Sequence, residues 1–370
     1  MTHPRMVWGL LGRRSGDNQQ VVALCEALGW PFEIKQLRYG WASRTPNVLR
    51  GTRPLGVAVE PSTPLGPPWP DLVVAVGRRS VALALQLRAA SQGRCRLVQL
   101  GRPRAPLHWF DLVISTPQYR IPPHPNLLEI PLPLARAPGA PDSLIALEIA
   151  ALPRPRTAVL VGGPTAELLF GAVEARDLAA RLEHLADRQG GSFMLTTSPR
   201  TPPVVAEEMR RRLREPRRIH EWTAAAANPY VTYLATADTV IVTGDSISMT
   251  ADACRTGVPV GVYRLPQRRA PVRRASAALY AWLARRVDRQ DLPSRLLFSL
   301  VDAGLVVSPR AYDAVHRVLE QRGIITYFPG DLPAAARTEW QRSEIAAWER
   351  SVIDRVKSLF GDARASEPSR

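Results

Sequence analysis

The stretch Thr239-Val240-Ile241-Val242-Thr243-Gly244-Asp245-Ser246-Ile247-Ser248-Met249-Thr250-Ala251-Asp252-Ala253-Cys254-Arg255-Thr256-Gly257-Val258-Pro259-Val260 decides the fold. Its opening apolar run reads as a buried strand. Small hydroxyl residues then start a helix, with Ser246 or Asp245 as its cap. Gly257 ends that helix, and a second strand, Val258 to Tyr263, begins at once. A strand–turn–helix–strand of this kind belongs to a parallel α/β sheet. It sets free backbone N–H groups and hydroxyls at a helix N-terminus, where an anion such as a phosphate is stabilised. Ser246, Ser248 and Asp245 are the candidate ligand residues, and Asp252, about two turns on, could reach a sugar hydroxyl.

The same grammar extends both ways. Strands are expected at Met6 to Leu11, Phe32 to Leu37, Leu72 to Val76, Arg96 to Leu100, Asp111 to Ser115 and Leu127 to Ile130. They resume at Thr157 to Val161, Ser192 to Thr196 and Ile219 to Trp222. Helices are expected at Asn18 to Leu28, Ser80 to Ala89, Ser143 to Ala150, Ala172 to Arg188, Pro202 to Arg214 and Tyr230 to Ala235. Tyr39 to Pro70 reads as a proline-rich irregular insertion with one short helix near Val48. Beyond Arg274 the chain turns mostly helical, and the final Ala363 to Arg370 reads as a frayed end.

The fold expected is therefore α/β, with two doubly wound, Rossmann-like domains facing a cleft. An N-terminal domain spans 1–135, a linker 136–156 and a C-terminal domain 157–335. A last helix and tail, 336–370, show one apolar face that includes Ile345, Val352 and Val356; packing back on the first domain is the expectation and contact with a membrane the other reading.

Composition bounds the function. Forty-five per cent hydrophobic and 22% charged residues describe a globular protein, and no run approaches the roughly 20 apolar residues that span a bilayer. No signal peptide is read at the N-terminus. Cys25, Cys95 and Cys254 fit buried thiols of a reducing cytoplasm. The net charge is +16, and Lys35 and Lys357 are the only lysines, so arginine carries the charge. Such a surface attracts anionic partners, although coding bias also enriches arginine. No helix-turn-helix, zinc finger or aromatic RNA-binding signature points to nucleic acid. No two histidines have metal-ligand spacing, and no metal or cofactor is expected.

Ligands of doubly wound sheets bind beyond the carboxyl ends of the strands. After the first strand, Gly16, Asp17, Asn18 and Gln20 lie in a polar loop that opens a helix. Asp17 is a candidate general base for an acceptor hydroxyl, and helix capping by Asp17 or Asn18 is the other reading. After the strand at Thr157, Gly162 and Gly163 could admit a phosphate to the backbone and Thr165 add a hydroxyl, although strand–glycine turns are common. Thr197, Ser198 and Arg200 follow the next strand, where hydroxyls and a guanidinium suit a phosphate or cap a helix.

Several of these segments together resemble one family: Gly16-Asp17-Asn18 with Gln20, Leu160-Val161-Gly162-Gly163-Pro164, Phe193-Met194-Leu195-Thr196-Thr197-Ser198-Pro199-Arg200-Thr201, Asn228-Pro229-Tyr230, and Thr243-Gly244-Asp245-Ser246-Ile247-Ser248-Met249. Their order and spacing are similar to the mitochondrial fission "elongated mitochondria" family, found in plants and widely in bacteria. The plant member recruits a dynamin-related GTPase to the outer mitochondrial membrane. The arginine-rich composition looks bacterial. The chain departs from the family pattern at Gly244, where members usually carry an acidic residue, and at Gly16-Asp17, in place of a Gly-His loop. More distantly the layout resembles GT-B type glycosyltransferases, in which Asp252 stands where a Glu binds the donor ribose.

The resemblance implies a metal-independent glycosyltransferase. Its partner is a nucleotide-diphosphate sugar, with an anionic glycan or lipid acceptor of the envelope and a peripheral contact with the inner membrane from the cytoplasm. Arg200 would stand beside the leaving phosphate. The alternative is a non-catalytic recruitment protein on the same scaffold. An NAD-dependent epimerase is disfavoured because neither lysine follows a Tyr at the Tyr-x-x-x-Lys spacing; epimerases that work without NAD stay open.

Overall fold

The computed structural model describes residues 5–12, 15–59, 64–136, 139–224, 228–268, 275, 278–279, 282, 292–332 and 338–361. The expected frayed end and most of the expected helical stretch between Arg274 and Asp291 lie outside them. The described residues form two sheets. The first contains β1 (Val7–Leu11), β2 (Phe32–Tyr39), β3 (Val57–Val59), β4 (Leu72–Val76), β5 (Arg96–Leu100), β6 (Leu112–Ser115) and β7 (Leu127–Glu129). Helices α1 (Ser15–Leu28), α2 (Asn47–Arg50) and α3 (Val81–Ala90) punctuate them. The second sheet contains β8 (Arg156–Leu160), β9 (Ser192–Thr196), β10 (Arg217–His220), β11 (Thr239–Thr243), β12 (Val260–Tyr263) and β13 (Thr326–Phe328). With it run α4 (Ser143–Ala150), α5 (Ala172–Gln189), α6 (Pro203–Arg212), α7 (Tyr230–Thr236) and α8 (Ile247–Thr256). Later come α9 (Leu292–Asp302), α10 (Tyr312–Gln321) and α11 (Thr338–Ser358).

The strand orders are β3-β2-β1-β4-β5-β6-β7 and β10-β9-β8-β11-β12-β13. Each sheet thus runs outward from its first strand in both directions, the doubly wound Rossmann order. All pairs are parallel except β2 with β3. The order reverses between β1 and β4 in the first sheet and between β8 and β11 in the second.

Strand alternation explains why these strands hold. In the first sheet Val7, Leu72 and Val74 enter one apolar cluster, with Leu24 of α1 and Val352 and Val356 of α11. Their neighbours Trp8, Leu10, Val73 and Ala75 enter a second cluster with Leu83 and Leu87 of α3. The central strands are therefore buried on both faces, as parallel sheets require. Gly9 lets α1 approach closely, because a Cβ there would sit 2.9 Å from Ile34 and 3.1 Å from Val21.

The chain divides into two units, one of Met1–Arg136, Pro271–Pro309 and Ala347–Arg370, the other of Ala137–Ala270 and Arg310–Ala346. This corrects the contiguous expectation of 1–135, 136–156, 157–335 and 336–370. The segment read as a linker belongs to the second unit. There Asp142 caps α4 by accepting from the N–H groups of Leu144 (2.9 Å) and Ile145 (3.1 Å), its own N–H donates to Thr232 Oγ1, and Ile149 is fully buried. The later residues return to the first unit because the apolar face of α11 has its complement there. A second correction concerns the loop after β1. Asn18 clamps Gly12, accepting its N–H and donating to its carbonyl, both at 2.8 Å. The chain therefore turns into α1 at Ser15, ahead of the expected start at Asn18, and Gly16 and Asp17 lie in the helix's first turn instead of a loop.

Candidate functional site

The carboxyl ends of β8 and β11 face the reversal point of the second sheet, and the chain places its most specific polar cluster there. Thr243 ends β11. Its hydroxyl accepts the Gly162 N–H (2.8 Å) and donates to Asp245 Oδ1 (2.7 Å). Asp245 Oδ2 accepts from the Gly163 N–H (2.9 Å) and from Arg200 Nη2 (2.7 Å). Arg200 also donates to the Gly163 carbonyl at 3.2 Å. Thr201 ties the same corner by donating to the carbonyl of Gly162 at 2.6 Å. The Asp245 side chain is 0% exposed and that of Arg200 is 44% exposed. Burial pushes the Asp245 carboxyl above its ordinary range, and the Arg200 guanidinium opposes that shift. A half-open cation thus stands over a closed carboxylate, and Asp245 can act on a ligand only through Arg200 and the Gly163 backbone.

This network accounts for the two glycines. A Cβ at Gly162 would lie 2.2 Å from Asp245 Oδ2, and one at Gly163 would lie 2.1 Å from the Arg200 carbonyl oxygen. Both are required by packing, whether or not a phosphate approaches them.

Ser246 caps α8, accepting from the Met249 N–H, and its hydroxyl lies 3.2 Å from that of Ser248. Gly257 takes the left-handed conformation (φ 80°) that ends α8. Asp252, further along α8, accepts from the Tyr230 hydroxyl at 2.8 Å. Burial raises the Asp252 carboxyl, an effect opposed by that bond and by Arg255. Burial, with the Asp252 charge, raises the Tyr230 hydroxyl well above its ordinary value. Tyr230 therefore explains part of the Asn228-Pro229-Tyr230 segment: it holds Asp252 in place.

The remaining expected residues of this unit are occupied locally. Thr165 accepts from the N–H groups of Glu167 and Leu168. Thr197 accepts from the Trp222 N–H at 2.8 Å, which joins the ends of β9 and β10. Ser198 sits in a turn with Thr201, 3.1 Å between their hydroxyls. The structure thus brings Gly162, Gly163, Arg200 and Asp245 into one network, sets Ser246 and Ser248 at the helix start beside it, and ties Thr165, Thr197, Ser198 and Asp252 to their own neighbours.

One residue at this site had no signal in the sequence. His316 of α10 packs against Gly244, where a Cβ would stand 3.2 Å from its ring. It is buried, and its Nε2 has no hydrogen-bond partner among the described residues. Burial pushes its pKa down to about 4. Arg264, at the end of β12, stacks on Tyr327 with 3.3 Å to the ring centroid. A large residue at position 244 would collide with His316, which is why glycine fits there.

Gly16, Asp17, Asn18 and Gln20 all lie in α1 of the first unit. Asn18 is used by Gly12, and among the described residues Gln20 donates to the Gly16 carbonyl at 3.4 Å. Asp17 is close enough to Tyr39 to help raise its hydroxyl to about 12, after burial and against the pull of Arg79. Among the described residues no group of three or more His, Cys, Asp or Glu side chains could hold a metal ion. No described helix is long and apolar enough to cross a membrane.

Fold and site together define a two-unit α/β protein with Rossmann strand order in both sheets and a hydroxyl-rich helix start at one reversal point. The family model for mitochondrial fission ELM1 matches residues 15–293, and the chain belongs to that family. The mitochondrial fission protein ELM1 of Arabidopsis thaliana is 30% identical over 222 residues, covering 52% of this chain and 51% of that protein. The chain therefore spans about half the length of that relative. An uncharacterized protein of Rickettsia prowazekii (strain Madrid E) is 25% identical over 296 residues, covering 70% of this chain and 83% of the relative. Among solved structures, Arabidopsis thaliana UGT89C1 complexed with UDP-L-rhamnose is similar at a TM-score of 0.45 and 11% identity, covering 87% of this chain and 99% of that one.

Proposed function

We propose that this chain is a glycosyltransferase that draws on a nucleotide-diphosphate sugar and acts on an envelope glycan or lipid-linked acceptor, at the cytoplasmic side of the inner membrane. The observation that carries this reading is the start of α8. Two serine hydroxyls 3.2 Å apart at the N-terminus of a helix sit at a reversal point, beside a half-exposed arginine. Ser246 and Ser248 hold the diphosphate. Arg200 adds a positive charge near the leaving group, so that helix and guanidinium together stabilise the charge that develops there. Asp252, held by Tyr230, offers its other oxygen to the ribose. In the first unit Asp17 takes the acceptor's proton.

A second reading is supported by a specific observation. Arg200 is already paired with Asp245, and several other candidate groups are spent on their own loops. A protein that binds a ligand or partner without turnover keeps such a network intact. The Arabidopsis relative, named a mitochondrial fission protein, makes recruitment the natural form of that reading.

A thermal-shift screen of the purified chain against nucleoside diphosphates and their sugars separates the two. Ligand at 100 times Kd stabilises by about 2.7 kcal/mol. The donor-site reading expects a shift with one nucleotide family, abolished in Ser246→Asp, which keeps a capping oxygen but repels phosphate. A cooperative melt that no nucleotide moves would sink that reading and leave recruitment.

A further inference from the structure

The carboxyl edge of the first sheet contains a cavity of about 180 Å³ that the reading above does not use. It lies where the chain leaves β5 and β6, and α9 with its following loop closes it. Leu107, Ile121, Phe298, Val301 and Val306 supply apolar wall, and Arg102, Arg104 and Arg120 supply charge. Its volume exceeds the roughly 150 Å³ of an apolar cavity that holds a benzene-sized guest.

The site is built. Asn47 Nδ2 donates to the carbonyls of Arg78 (2.9 Å), Pro103 (3.0 Å) and Arg104 (3.2 Å), fixing one side. On the other side the loop after α9 docks so closely that a Cβ at Gly304 would lie 2.4 Å from the Arg104 backbone. Asp302, the one carboxylate among the lining residues, is engaged with the Leu107 N–H at 2.9 Å. Arg104 (φ 52°) and Arg120 (φ 47°) both hold the left-handed conformation, and Gln92 is the only other described non-glycine residue that does so. Strain of this kind is retained where a side chain must be aimed.

The charge extends behind the rim. Arg78 donates to the Arg44 carbonyl at 3.0 Å. Burial, and then the charges of Arg104, Arg79, Arg50 and Arg44, push the Arg78 guanidinium down. Arg50 is itself buried, with Nε and Nη2 unpartnered among the described residues. Three arginines and one carboxylate among the lining residues give the rim an excess of positive charge, which attracts an anion.

We propose that this cavity binds an amphipathic anion: a hydrocarbon chain seated between Leu107, Ile121 and Val301, with its phosphate or carboxylate head on Arg104 and Arg120. The inference lies wholly within the first unit and stands without the nucleotide reading. Isothermal titration of the full chain with decyl phosphate, decanoate, decanol and inorganic phosphate tests it. Decyl phosphate or decanoate should bind at least tenfold more tightly than both decanol and inorganic phosphate, and the tighter of the two names the head group. Arg120→Gly, which keeps the backbone, and Val301→Trp, which fills the chamber, should each weaken that binding fivefold or more. Equal affinity for decyl phosphate and inorganic phosphate, no binding of either chain-bearing anion, or undiminished binding in Arg120→Gly overturns the proposal.

Discussion

The two sheets share one winding order and finish their carboxyl edges in opposite ways. In the second unit Thr243, Arg200 and two glycine N–H groups form one hydrogen-bonded network with Asp245, and the buried carboxylate has its cation. In the first unit three arginines and a single carboxylate, Asp302, line an apolar chamber. The topology supplies a crevice in both places. The local residues decide whether that crevice is closed by the protein's own polar groups or left charged for something else.

The largest expected effect tests that contrast directly. Arg200→Ala leaves the buried Asp245 carboxylate without its cation, and breaking a buried pair in this way costs roughly 3 kcal/mol after allowing for the half-exposed arginine. Arg79→Ala, in the like-charged group of the first unit, should stay within about 0.5 kcal/mol of the parent. Urea midpoints of the two variants measure the difference, and equal losses would erase the distinction between the two edges.

The next effect appears with pH. His316 is held neutral in the folded state with a pKa of about 4, against about 6.5 in the unfolded chain. Between these values the unfolded chain binds more protons, so stability falls as pH drops from about 6.5 toward 4. The loss approaches about 3 kcal/mol at the acid end. His316→Gln should flatten the melting temperature against pH across that window, and an unchanged slope would assign the dependence to other groups.

Glycine substitutions sharpen the same comparison at smaller scale. Gly163→Ala drives a Cβ against the Arg200 backbone and should cost about 1–3 kcal/mol. Gly77→Ala meets nothing within 4 Å and carries only the strain of its φ of 70°, about 1 kcal/mol. If thermal melts place Gly77→Ala above Gly163→Ala in cost, the second unit's corner is looser than its hydrogen bonds indicate. The smallest effect has the opposite sign. Arg120→Gly relieves a left-handed arginine and should stabilise by up to about 1 kcal/mol while binding of amphipathic anions falls.

Much of the fold was legible because it rests on local patterns. Arg96–Leu100, Ser192–Thr196 and Ser143–Ala150 appear with the bounds their apolar runs and caps announce. β3 and β13 were not legible: each has three residues, too few for a period, and each exists because a neighbouring strand offers a free edge. The start of α1 was displaced because Asn18 turns back to clamp Gly12, a contact that no capping rule specifies. At the site, Ser246 as cap and Gly257 as stop follow from residue type alone. The pairing of Tyr230 with Asp252, and the packing of His316 on Gly244, join residues from different helices and loops.

The sequence by itself determined the two α/β sheets, the helix start at Ser246 and the excess of arginine, because strand alternation, helix capping and charge are properties of neighbouring residues. Tertiary structure alone decided that Asp245 is spent on Arg200, that α11 returns Val352 and Val356 to the first core, and that Arg102, Arg104 and Arg120 surround an apolar chamber. Those outcomes depend on which distant side chains share a space, and burial changes the cost of a charge far more than any local pattern can record.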